Sequence, residues 1–110
     1  MKKLHFDALF DTIMGEVKYT RDEGQKEYAR TDDNIFANFE RVADCLKIER
    51  EKVLMVYLLK HIDGISSYID GHKSQREDVT GRVKDAIVYL LLLWAMVIGD
   101  DAFKKIKEAE

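Results

Sequence analysis

The sequence predicts an all-α fold, a four-helix bundle with a short C-terminal helix. Three observations carry this. Proline is absent and only six glycines interrupt 110 residues, so helix formers dominate. Apolar residues recur at three- and four-residue steps, and no stretch alternates apolar and polar residues long enough for a sheet. With 46% hydrophobic and 35% charged residues, the chain reads as one soluble domain with one core rather than as a disordered segment.

The first helix is expected over about residues 4–21, where Phe6, Leu9, Phe10, Ile13 and Val17 form one stripe and Asp7, Asp11 and Lys18 lie opposite. Residues 22–31 lack periodicity and read as a frayed end and loop, with Gly24 in position to cap. Asp32 or Asp33 is a good N-cap for a second helix, 33–46, whose stripe is Ile35, Phe36, Phe39, Val42, Ala43 and Leu46. A third helix is expected over 49–69, apolar almost all round in its first half, followed by a polar loop. The fourth should span 77–98 and end at Gly99. Asp100 and Asp101 can then cap a terminal helix, 101–108, anchored by Phe103 and Ile106.

Several function classes are excluded at this level. Net charge is −3 with both signs interspersed, unlike the basic stripe that duplex binding needs. The charge-free run from Ala86 to Gly99 would reach roughly 21 Å as a helix, short of the ~30 Å core of a bilayer. It is not a membrane span. A helix apolar on all sides must still be covered, and so small a bundle is short of neighbours to do it. The expectation is a homodimer or higher homo-oligomer burying part of Leu90 to Val97; complete burial within one chain is the alternative. Asp7 and Asp11 break up any signal-peptide core. The single Cys45 cannot form an internal disulfide, which suits a reducing cytoplasm. It lies near an apolar stripe and is expected in the core, as are Trp94, Phe36, Phe39 and the methionines.

Polar residues embedded in apolar helices locate the candidate site, because a charge on a buried helix face is costly unless paired or used. Lys60, His61 and Asp63 follow the run Val53 to Leu59, and Lys60 and Asp63 share a face that Gly64 and Ser67 extend as a small polar groove. Arg82, Asp85 and Tyr89 share a face of the fourth helix. If these faces meet, Lys60 pairs with Asp85, either as a structural ion pair or in a pocket for phosphate or carboxylate. Glu27, Tyr28, Asp32, Asp33 and Asn38 form a second group. Its oxygens suit magnesium better than zinc, although Asp32 and Asp33 serve equally as caps. His5, His61 and His72 lack helical ligand spacing, which argues against a zinc or di-iron site. No phosphate-binding glycine loop or dinucleotide fingerprint is present.

The ordered string Glu27-Tyr28-Ala29, Asp32-Asp33, Asn38-Phe39, Lys60 and Asp85-Ala86-Ile87-Val88-Tyr89-Leu90 resembles small all-helical proteins of phages and prophages, the nucleotide-modification-associated domain family. The likeness spans roughly residues 23–96. It implies an association with nucleotide metabolism or modification, without an established reaction. By that resemblance Glu27, Tyr28, Asp32, Asp33, Asn38, Lys60 and Asp85 are the site positions, and they coincide with those flagged above. The chain is more distantly similar to MazG-like all-helical nucleoside triphosphate pyrophosphohydrolases, which hold magnesium with paired carboxylates. Asp85 can stand at their final Asp, but Arg82 occupies the position three residues before it. The third helix also has no Glu-x-x-Glu, so a metal-dependent hydrolase would have an incomplete cluster.

The expected function is therefore binding of a nucleotide or related phosphate-bearing ligand by Glu27, Tyr28, Asn38, Lys60, His61, Arg82 and Asp85. Asp32, Asp33 and Asp85 are the expected magnesium ligands. Lys60 would neutralise phosphate, and Tyr28 and Asn38 would contact base or sugar. The rival reading is a non-enzymatic protein-interaction module acting as a small helical dimer.

Overall fold

A computed structural model of the chain describes residues 1–73 and 76–110, Phe103 by its backbone alone. Helices α1 (Lys3–Gly24), α2 (Ala37–Leu46), α3 (Arg50–Ile69) and α4 (Val79–Ala109) make up the fold, and no strand occurs among the described residues. Among the described residues, no helix is long and apolar enough to cross a membrane. Helix α3 packs along α4, α2 lies against α3, and α1 leans on α4.

Two elements depart from the periodicity. Gly24 is not a cap: its φ and ψ are helical, and α1 continues into a π-helical turn, Gln25–Ala29. The Arg30 N–H donates to the Gln25 carbonyl at 3.0 Å, five residues back, and Arg30 takes a left-handed φ of 66° to reverse the chain. The extra residue per turn buries Ala29 and sets Tyr28 at the cavity described below. The second departure is the start of α2. Asp32 and Asp33 are exposed and do not cap it. Asn34 does the local work instead, its Oδ1 accepting from the Phe36 N–H at 3.0 Å while its Nδ2 donates to Glu40 at 2.7 Å. Arg50 of α3 closes on the same Glu40 at 3.2 Å and covers the Phe36 ring at 4.6 Å.

Helix α4 runs over Val79–Ala109. Asp78 caps α4 by accepting from the Thr80 N–H at 3.0 Å. Gly99 breaks α4 with φ 68° and ψ 170°, a conformation that costs a residue with a Cβ and leaves a separate segment from 100 to 109. The Phe103 side chain proposed as an anchor lies outside the described residues, and Ile106 is largely exposed.

The core is small. Phe39 and Ala43 of α2, Val53 and Leu54 of α3, and Leu92 and Met96 of α4 form it. Phe39 meets Tyr57 and Tyr89 edge-on at 6.1 and 6.2 Å, and those two tyrosines stack on each other at 6.1 Å with 14° between the rings. Cys45 and Trp94, expected inside, are on the surface. Of the α1 stripe only Val17 is buried, while Phe6, Leu9, Phe10 and Ile13 are exposed. The α4 face carrying Leu90, Leu91, Trp94, Val97 and Ile98 is likewise open.

The molecule is correspondingly extended. Its radius of gyration is 16.3 Å, against about 13 Å for a compact chain of this length. It exposes 8491 Å², where a compact monomer of its mass exposes about 6,300 Å².

Candidate functional site

Three helices and the π-helical turn enclose a cavity of about 510 Å³, within the range of small-molecule sites. Tyr28 comes from the turn, Asn38 from α2, Tyr57, Lys60 and His61 from α3, and Asp85 and Tyr89 from α4; Glu77 enters from the residues before α4. Arg30, Arg41 and Lys60 complete the lining as exposed cations at the rim. A tighter cleft of about 90 Å³ opens on the other side of Tyr28, Asn38, Asp85 and Tyr89, between α1 and α4, where Arg21 and Gln25 meet Phe39 and Leu92.

His61 lines the cavity of about 510 Å³. Its side chain is 8% exposed, and it stands between two carboxylates, with Nδ1 3.8 Å from Glu77 Oε2 and Nε2 3.7 Å from Asp85 Oδ2. Neither distance is a hydrogen bond. Nδ1 is buried without any partner, a condition that typically costs about 1–3 kcal/mol. The Tyr89 ring packs against the imidazole at 5.7 Å. Arg82, 15% exposed, holds Glu77 from behind at 3.3 Å. Gly64 makes room for it: a Cβ there would lie 2.5–2.7 Å from three atoms of the Arg82 side chain.

Burial pushes the Tyr89 phenol up to about 12, and the neighbouring Asp85 adds to the shift. Tyr28 is raised too, by partial burial first and then by Glu27 and Asp85. Both phenols therefore stay protonated donors at neutral pH, facing carboxylates.

Seven residues were expected to bind ligand. Tyr28, Asn38, Lys60, His61 and Asp85 converge on the one cavity. Arg82 lies behind it and acts on Glu77. Glu27 is exposed and lines none of the cavities described; its effect is on Tyr28.

Two expectations are corrected. Lys60 does not pair with Asp85: its neighbour in sequence, His61, is the residue that turns inward to that carboxylate, leaving Lys60 at the exposed rim. Asp32 and Asp33 do not join Asp85 as metal ligands either. They line a separate cavity with Glu40, Arg50 and Asp100, and Asp100 is roughly 20 Å further along α4 than Asp85.

Glu77, Tyr57, Arg30 and Arg41 were not singled out by the sequence. Glu77 lies eight residues before Asp85, about two helical turns, which is the one sequence signal that could have placed both on one side. The carboxylate neighbours of His61 come from outside its own helix, so histidine spacing gave no signal of them.

No family profile matches the chain, and neither a curated protein nor a solved structure is significantly similar to it.

Proposed function

We propose that this helical bundle binds a nucleotide or a related phosphate-bearing ligand in the tyrosine-lined cavity, as part of cytoplasmic nucleotide metabolism or modification. One observation carries the reading: a single cavity combines three exposed cations, Arg30, Arg41 and Lys60, with a stacked tyrosine pair and the amide of Asn38. Cations at a mouth suit phosphate oxygens. The exposed Tyr28 ring in the same lining offers a face to a base, a stack being worth about 1–3 kcal/mol. Asn38 offers a donor and an acceptor to a base or sugar edge.

A thermal-shift panel of nucleoside mono- and triphosphates, with and without magnesium or manganese, tests this. A ligand at a hundred times its dissociation constant stabilises the fold by about 2.7 kcal/mol, which corresponds to roughly 10 °C or more in a domain of this size. Lys60→Ala should abolish the shift without altering the unliganded midpoint. A flat panel would sink the reading.

The chain is proposed to act as a homodimer. Its exposed area exceeds that of a compact monomer of its mass by about 2,200 Å², and a covered area of that size per protomer falls in the obligate class. The same open apolar faces favour the second reading, a non-enzymatic interaction module, which a flat ligand panel would promote.

A further inference from the structure

We infer that His61, Glu77 and Asp85 form a binding site for one divalent first-row transition ion, with manganese, iron or zinc preferred over magnesium. One ligand atom from each residue lies within 4.8 Å of the others. Ligands about 2.0–2.2 Å from a shared ion lie roughly 3 to 4 Å apart, so a small closure of the half-exposed Glu77 completes the shell. The independent observation is the orphaned imidazole. A buried ring whose Nδ1 has no hydrogen-bond partner, set between two carboxylates beyond hydrogen-bond reach, lacks what a cation would supply.

The donor set decides the class of ion. Magnesium and calcium favour all-oxygen shells, whereas one imidazole with two carboxylates suits manganese, iron or zinc. This differs from the magnesium site expected of Asp32, Asp33 and Asp85 in both its ligands and its chemistry. Three protein ligands leave coordination positions open toward the cavity, as a site acting on a bound molecule requires. Arg82 behind Glu77 takes the role of an orienting group, fixing the carboxylate from outside the shell.

Binding of the metal alone needs no nucleotide, so the inference stands or falls separately from the ligand reading. The chelator-treated full-length protein is titrated with manganese chloride, and free Mn²⁺ is followed by its electron paramagnetic resonance signal. One ion per chain is expected, with Glu77→Gln and Asp85→Asn each weakening binding tenfold or more and Mg²⁺ binding at least tenfold more weakly than Mn²⁺. Imidazole ¹⁵N spectra should show the His61 signals broadened by Mn²⁺ at one equivalent while those of His5 and His72 persist. Glu77 is half exposed, so Glu77→Gln remains informative if the Asp85 variant misfolds. Equal binding by the folded variants, a response at His5 or His72 in place of His61, or equal affinity for Mg²⁺ would overturn the assignment.

Discussion

Trp94 is the lone tryptophan and is 68% exposed on the open face of α4, beside Val97 at 75%. Covering a tryptophan removes up to about 250 Å² from water; the exposed share here is then about 170 Å². At about 25 cal/mol per Å² this amounts to about 4 kcal/mol per protomer, an upper bound. Ordering and imperfect desolvation at an interface reduce it, and half that value is a reasonable working figure. A two-fold interface uses the residue twice, so Trp94→Glu should weaken a dimer by about 4 kcal/mol, roughly a thousandfold in Kd. The monomer should not notice, since surface substitutions of this kind change stability within about 0.5 kcal/mol. Light scattering after size exclusion should give twice the 12.8 kDa chain mass for the wild type and the single-chain mass for Trp94→Glu. The Trp94 emission of the wild type should shift to the red on dilution. A wild type that stays monomeric at 100 µM, with fully solvated tryptophan emission at every concentration, refutes the dimer. A Trp94→Glu variant that remains dimeric moves the interface to the α1 stripe around Phe6 and Phe10.

Two further predictions concern the site itself. Gly64→Ala places a methyl group within 2.7 Å of the far end of the Arg82 side chain, so the guanidinium must move, while alanine gains about 0.5–1 kcal/mol over glycine inside a helix. Stability should change by less than about 1 kcal/mol, and a chemical-denaturation loss of about 3 kcal/mol or more would refute a yielding Arg82. Tyr89 titrates at about 12 in the folded chain, and near 10 when unfolded. The folded state therefore holds a proton that the unfolded state loses between those values, and stability should be intact below pH 10 and fall as the pH rises toward 12. The phenol is partly solvated, which reduces the full effect to about 1 kcal/mol. Denaturation series at pH 9 and 11, with Tyr89→Phe showing a smaller loss, check it.

Much of the helical frame is legible from periodicity and caps, and the failures have physical causes. Gly99 announces the end of the long apolar helix, because a positive φ is a local requirement that glycine meets. The π-helical turn at Gln25–Ala29 is not local in that sense. It is tied down by contacts outside its own span: the Gln25 amide donates to the Thr31 carbonyl, and Arg41 of α2 donates to the Tyr28 carbonyl. Periodicity finds the α1 stripe but cannot say what covers it, so Phe6 and Phe10 read as core although both stay about half exposed. In the site, embedded charge pointed to the right turn of α3 but to Lys60 rather than His61 as the neighbour of Asp85. Lys60 and His61 are adjacent, and a rotation of 100° about the helix decides which one faces Asp85. The longer, more strongly hydrated ammonium takes the rim, while the imidazole, less costly to bury when neutral, goes inside.

The arrangement of charge in the cavity links the two proposals. Arg30, Arg41 and Lys60 are exposed, and they share the lining with the half-exposed Glu77 and the more buried Asp85. A phosphate drawn in by the rim would meet both carboxylates, and two unit charges about 5 Å apart at an effective dielectric of about 20 repel by about 3 kcal/mol. That opposes much of what the cations contribute. A divalent ion on His61, Glu77 and Asp85 reverses the sign, because its charge offsets both carboxylates and its open positions accept phosphate oxygens. Phosphate affinity in this cavity should therefore depend on the transition ion, and the dependence should vanish in Glu77→Gln, where one negative charge and one ligand are removed together. A ligand that binds equally well in the presence of a chelator would instead occupy the rim and the tyrosine faces alone, leaving the carboxylates to serve only His61.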